Sequence, residues 1–198
     1  MPARSLHRIV ALVGMCGAGK SEAADKFIAH GYQYIRFGQI TLDEIKKRGL
    51  EVKEENEKMV RDGFRTQHGM AAFAILNIPK IEELLNTSHV IADGLYSWSE
   101  YKVLKEKYGE ALLVIAIYAS AQTRYPRLEE RSKKYKDDPH VKYRSFARAE
   151  AHSRDYAEIE RSEKGGPIAM ADYTIVNEGT LEEFRANVLA LLEKIQQS

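Results

Sequence analysis

The stretch Arg8-Ile9-Val10-Ala11-Leu12-Val13-Gly14-Met15-Cys16-Gly17-Ala18-Gly19-Lys20-Ser21 runs from a short apolar segment into a glycine-rich turn. Its second half matches G-x-x-x-x-G-K-[ST] at every fixed position, Gly14 to Ser21. The apolar run Ile9–Val13 suits a buried strand, and Glu22-Ala23-Ala24-Asp25-Lys26-Phe27-Ile28-Ala29-His30, which follows, favours a helix that stops at Gly31. Strand, loop and helix therefore stand in the order a phosphate-binding loop needs. Glycines let backbone N–H groups converge on phosphate oxygens without a Cβ in the way, and the helix start turns its positive dipole end toward them. On this reading Gly14, Met15, Cys16, Gly17, Ala18, Gly19, Lys20 and Ser21 form the cradle. Lys20 reaches the outer phosphates, and the Ser21 hydroxyl ligates Mg²⁺. The expectation is a chain that binds a nucleoside triphosphate.

Working outward, further apolar, β-rich runs lie at Tyr32–Phe37, His89–Ala92, Ala111–Ala119 and Tyr173–Val176, separated by helical stretches. Strands alternating with helices predict an α/β fold: a five-stranded parallel sheet with helices on both faces. Leu112-Leu113-Val114-Ile115-Ala116-Ile117 shows no alternation and predicts a central strand buried on both sides. Helices are expected at 20–30, 39–48, 53–76, 79–86, 98–107, 120–134, 141–163 and 180–196, with Pro79 opening one of them. At 198 residues the chain reads as a single domain, with a helical insertion at about 39–78 and a mobile helical lid at about 122–164.

Composition narrows the class. A formal net charge of +1 calls for neither nucleic acid nor an anionic membrane as partner. No segment approaches the roughly 18 apolar residues that span a bilayer. Met1–Arg8 lacks the apolar core of a signal peptide, and the single cysteine, Cys16, excludes an internal disulfide. A soluble cytoplasmic protein is expected. Charge concentrates between Lys46 and His68 and between Arg124 and Lys164. The arginines there lack the aromatic interleaving of a nucleic-acid stacking platform.

Beyond the loop, three segments resemble P-loop nucleotide kinases of the adenylate kinase and dephospho-CoA kinase group. Val90-Ile91-Ala92-Asp93-Gly94-Leu95 is similar to the strand ending in Asp-Gly whose carboxylate helps hold the Mg²⁺ water shell or the acceptor. Arg127-Leu128-Glu129-Glu130-Arg131 resembles the segment that opens the lid. The resemblance implies Arg127 over the ATP base and phosphates and Arg131 at the transferred phosphoryl group. Ala171-Asp172-Tyr173-Thr174-Ile175-Val176-Asn177-Glu178-Gly179-Thr180-Leu181 is similar to the closing strand and loop of dephospho-CoA kinases, which implies that Asn177 and Gly179 line the base pocket. The catalytic set so implied is Lys20, Asp93, Arg127 and Arg131, with ATP as co-substrate and Mg²⁺ at Ser21 and Asp93.

The acceptor side departs from both relatives. Arg36-Phe37-Gly38-Gln39 has no carboxylate where dephospho-CoA kinases place one, and Tyr96 stands near where adenylate kinases carry a second Arg. In this the chain more closely resembles poorly characterised adenylate-kinase-related proteins. Gly38, Gln39, Arg61, Arg65 and Tyr96 are the candidate acceptor contacts, Arg61 and Arg65 being about one helical turn apart. The leading expectation is phosphoryl transfer from ATP to a small nucleotide or nucleotide-like acceptor. The alternative is a regulatory P-loop NTPase that hydrolyses ATP without one.

Overall fold

A computed structural model describes residues 7–134 and 148–197. Five strands, β1 (Ile9–Val13), β2 (Gln33–Arg36), β3 (Val90–Asp93), β4 (Leu112–Tyr118) and β5 (Tyr173–Val176), form one parallel sheet in the order β2-β3-β1-β4-β5. The first strand of the chain thus lies at the sheet's centre. Its residues Ile9 to Val13 are all buried, as a strand covered on both faces requires. β4, also interior, carries the unalternating apolar run predicted for it. The edge strand β2 is half exposed.

Alternate residues of the strands feed separate cores. Ile9, Ala11, Val13, Ala92 and Val114 pack with Phe37, Phe73, Ile81 and Leu104. That layer is made by α2 (Gln39–Lys47), α3 (Glu54–His68), α4 (Ala72–Leu85) and α5 (Trp98–Tyr108), the last followed by a turn of 3-10 helix at Gly109–Ala111. Val10, Leu12, Ile91, Ile115 and Ile117 pack on the other face with Phe27, Phe184, Val188 and Leu192, from α1 (Lys20–Ala29) and α9 (Leu181–Gln197). A small third cluster joins Tyr125 and Leu128 of α6 (Ala121–Lys134), Ala151 of α7 (Arg148–Glu160) and Cys16 of the loop. The short helix α8 (Gly165–Ala169) precedes β5.

Two expectations are corrected. The helices predicted at 53–76 and 79–86 are instead α3, ending at Gly69 with φ +72°, and α4, which runs straight through Pro79. Pro79 removes one backbone donor and crowds the Ile75 carbonyl, at about 3 kcal/mol. α4 nevertheless buries Phe73, Ile81 and Leu85, each worth about 1.5–3 kcal/mol, so burial outweighs the proline. In the expected 141–163 helix, α7 covers Arg148–Glu160, and residues 141–147 lie outside the described part. Among the described residues, no helix is long and apolar enough to cross a membrane.

Candidate functional site

β1, β2 and β3 end together. Leu12 and Arg36 are both in register with Asp93, so the loop after β1 opens beside the carboxyl end of β3. The centre of the sheet is where an open α/β fold places its ligand crevice.

The loop takes the shape its glycines permit. Gly14, Gly17 and Gly19 have φ of +138°, +81° and +112°. A Cβ on Gly14 would stand 2.3 Å from the Ile117 carbonyl oxygen, so the loop lies directly on β4 and only glycine fits. The loop carbonyls are fastened from several sides. Lys20 Nζ donates to Gly14 O (2.9 Å) and Met15 O (3.2 Å), Arg124 Nη1 to Cys16 O (2.9 Å), and Asn177 Nδ2 to Ala18 O (2.8 Å). α1 begins on Gly19 with no side chain bonded to its first turn, which leaves the helix end to an incoming anion. Two neutral carbonyls are weak partners for the Lys20 ammonium, and phosphate oxygens are stronger ones.

A cleft of about 830 Å³ extends from this loop. Cys16, Gly17, Gly19, Lys20 and Ser21 line one side; Asp25, Tyr34, Arg36, Gln39, Asp43, Asn77, Lys80, Asp93 and Tyr96 supply its other polar groups. Asp93 Oδ2 accepts from the Tyr34 hydroxyl at 3.1 Å, while Oδ1 is buried with no hydrogen-bond partner. Burial of the Tyr34 hydroxyl, and then the Asp93 charge, push that phenol's pKa up and keep it a donor. Asp93 lines the same cleft as Ser21 and has one carboxylate oxygen without a protein partner, a donor set that fits the water shell of Mg²⁺. That ion keeps several waters and takes few protein ligands, and no cluster of three or more His, Cys, Asp or Glu occurs among the described residues.

The turn after Asp93 is held by Glu100. Its Oε2 accepts from Tyr96 N (2.7 Å) and Ser97 N (3.0 Å), and Ser97 Oγ in return caps Glu100 N (3.0 Å). Burial pushes the Glu100 carboxyl up to about 7, against the opposing pull of those N–H groups and of Arg65. The pattern Ser97-x-x-Glu100 ahead of a helix is a legible capping box that the sequence reading above did not use.

Of the expected acceptor contacts, Gln39 and Tyr96 line the cleft. Gly38, Arg61 and Arg65 are not among its lining residues. Gly38 precedes α2; Arg61 is bonded to Glu57 and Glu54; the Arg65 guanidinium lies 5.8 Å over the Phe73 ring. The cations at this end are Arg36 and Lys80, the latter paired with Glu83. On the lid side, Arg127 Nη1 donates to Asn177 O (3.0 Å), joining α6 to the β5–α9 loop. Asn177 turns its side chain to the phosphate loop, and Gly179 borders a second hollow of about 370 Å³ with Asn177 and Phe184. Arg131 lies on α6; its side chain is outside the described residues.

Arg124 is the residue that sequence alone hid best. Its guanidinium forms a two-pronged pair with Asp155 of α7 (2.6 and 3.1 Å), and Nε donates to Ala119 O (3.0 Å). The Tyr125 hydroxyl adds a bond to Asp155 at 3.1 Å. One buried ion pair thus ties α6 and α7 to the Cys16 carbonyl.

Comparison with known proteins agrees with this geometry. The AAA domain family model matches residues 10–161. A UPF0200 protein of Thermococcus kodakarensis is 35% identical over 189 residues, covering 94% of this chain and 97% of the relative. Among solved structures, the dephospho-CoA kinase from Campylobacter jejuni shares the fold at a TM-score of 0.58 and 14% identity, covering 97% of this chain and 98% of the other. A gluconokinase from Sinorhizobium meliloti 1021 does so at 0.56 and 16%, covering 97% and 94%. The five-stranded parallel sheet is that of the P-loop kinases, and the chain belongs to the UPF0200 family on an AAA-type P-loop domain.

Proposed function

We propose that this protein transfers a phosphoryl group from ATP to a nucleotide or nucleotide-like acceptor of the nucleoside monophosphate or dephospho-CoA type. The observation that carries the reading is that one cleft is lined both by Lys20 and Ser21 of the phosphate loop and by Asp93, Arg36, Gln39, Lys80 and Tyr96. A nucleotide hydrolase needs room for water beside its phosphates. This cleft, at about 830 Å³, is of the size that holds a small molecule, since sites for drug-sized ligands run from about 300 to 1,000 Å³.

Phosphoryl transfer demands in-line positioning and positive charge on the moving group more than covalent chemistry. Gly14 to Gly19 cradle the donor phosphates, and Lys20 exchanges its carbonyl partners for their oxygens. Mg²⁺, held by the Ser21 hydroxyl and through water by Asp93, would neutralise phosphate charge. Tyr34 fixes the Asp93 carboxylate by its hydrogen bond to Oδ2 and leaves Oδ1 without a protein partner. Arg127 of α6, bonded to the Asn177 carbonyl, borders the base with Asn177 and Gly179, and Arg131 reaches the transferred group on lid closure. On the acceptor side, Gln39 and Tyr96 act with Arg36 and Lys80. Arg61 and Arg65 would join only by leaving the partners described above.

The test is ADP formation with and without acceptors, using a panel of nucleoside monophosphates and dephospho-CoA. A kinase releases ADP slowly alone and at least tenfold faster with its acceptor. ADP release at one rate across the whole panel refutes the reading and favours a regulatory NTPase.

A further inference from the structure

Lys164 is 1% exposed, yet it is a lysine in the connection between α7 and α8, where nothing about the fold requires a buried charge. Its ammonium is paired with Glu158 of α7 and sits 4.7 Å over the ring of Tyr96, a wall of the cleft. The backbone is bent to put it there. Glu163, the residue before it, has φ +53°; among the described residues it alone is a non-glycine with positive φ. A non-glycine residue at positive φ is uncommon, and strained backbone of this kind clusters at active sites and ligand clamps. The Ser99 hydroxyl donates to Glu163 Oε2 (3.4 Å), which pins the turn to α5.

The charges around Lys164 are arranged against it. Burial and then the neighbouring Lys20 push its pKa down to about 8, with Glu158 and Cys16 pulling the other way. The Glu158 carboxyl in turn feels Lys20 as well as Lys164 and Arg154. Two lysines near one glutamate leave an excess of positive charge beside the phosphate loop. A structural ion pair has no need of that excess, whereas a polyphosphate carrying several negative charges does.

We propose that Lys164 is a second phosphate-binding cation of the site, stored on Glu158 and transferred to the triphosphate when it binds. The proposal rests on the triphosphate reading above and adds to it a residue outside the Gly14–Ser21 motif. Tyr96 serves both states, because its ring face guides the ammonium between the carboxylate and the phosphates. Glu158 acts as a positioning residue that competes with the nucleotide for the same ammonium.

The test measures binding of a non-hydrolysable ATP analogue by calorimetry, alongside the melting temperature of the ligand-free chain. The variants are Lys164→Met, Glu158→Gln, the double variant, and Lys20→Ala as control. Losing one charge-assisted contact should weaken analogue binding roughly 10- to 100-fold in Lys164→Met. Glu158→Gln, which releases the ammonium from its competitor, should bind the analogue as tightly as the wild type or tighter. The double variant leaves no unpaired buried charge, so its melting temperature should recover while its affinity stays as low as that of Lys164→Met. Should Lys164→Met fail to fold, the double variant decides the question alone. If the double variant binds like the wild type, Lys164 and Glu158 are only a staple between α7 and α8, and the proposal falls. Wild type bound and Lys20→Ala unbound, with Lys164→Met unaffected, overturns this inference alone. A wild type that ignores the analogue overturns the kinase reading with it.

Discussion

Asp155→Ala isolates the buried pair that fastens α6 and α7 to the phosphate loop. The Arg124 and Asp155 side chains are 5% and 8% exposed, so neither ion can be rescued by water in place. Removing the carboxylate strands a guanidinium that keeps only its bonds to Ala119 O and Cys16 O. Breaking a buried pair from one side costs about 3–5 kcal/mol, because the remaining charge stays desolvated. For 198 residues the unfolding entropy is about 0.4 kcal/mol/K, so each kcal/mol moves the melting temperature by about 2.4 °C. The expected loss is therefore about 7–12 °C in calorimetry at neutral pH. Arg124→Met with Asp155→Leu removes both charges and fills their space, and should regain at least half of that loss. It should not regain nucleotide affinity, since Cys16 O has then lost its donor and the loop its outer brace. A shift below about 2 °C in Asp155→Ala would refute the reasoning, for it would mean that the pair is solvated and that α6 and α7 are attached by packing alone.

Asp93→Asn removes the charge beside Ser21 but not the loop. Turnover should fall and demand more Mg²⁺, while metal-free nucleotide binding changes less than threefold in titration; unchanged Mg²⁺ dependence would reduce Asp93 to a turn residue. Arg131→Ala should lower kcat by roughly 10³-fold with little change in ATP affinity, and Arg131→Lys should restore little, because an ammonium does not fork onto two oxygens. Equal mild effects from these and from Lys133→Ala would show a merely solvated helix face. Glu100 predicts a pH effect of definite sign. Its folded pKa of about 7 lies above the ordinary 4.5, so the folded chain holds a proton that the unfolded chain releases between those values. The resulting stability, on the order of 3 kcal/mol, is complete below pH 4.5 and gone as pH rises through 7. Melting curves of Glu100→Gln should accordingly gain on the wild type from pH 4.5 to 7.5, and parallel curves would contradict the assignment.

The amino-acid sequence by itself determined the phosphate loop and the alternation of strands and helices. Both are written in contiguous residues: the glycine spacing of Gly14 to Gly19, the apolar run of β1, and the unalternating run in β4. Such signals are local, and local periodicity is what a chain displays without folding. The course of α4 through Pro79 was not legible, since the proline speaks for a helix start and only the core beneath Phe73, Ile81 and Leu85 overrules it. Nor were the partners of the site. Tyr34 and Asp93 are 59 residues apart, Arg124 and Asp155 31, and Asn177 and Ala18 159. Tyr34 meets Asp93 because β2 pairs with β3, Arg124 meets Asp155 because α6 packs on α7, and Asn177 meets Ala18 because β5 ends near the loop after β1. Even the buried cation Lys164 reads in sequence as one more charge in a charged stretch. Only the tertiary structure takes that charge out of water, pairs it with Glu158 and sets it over the Tyr96 ring.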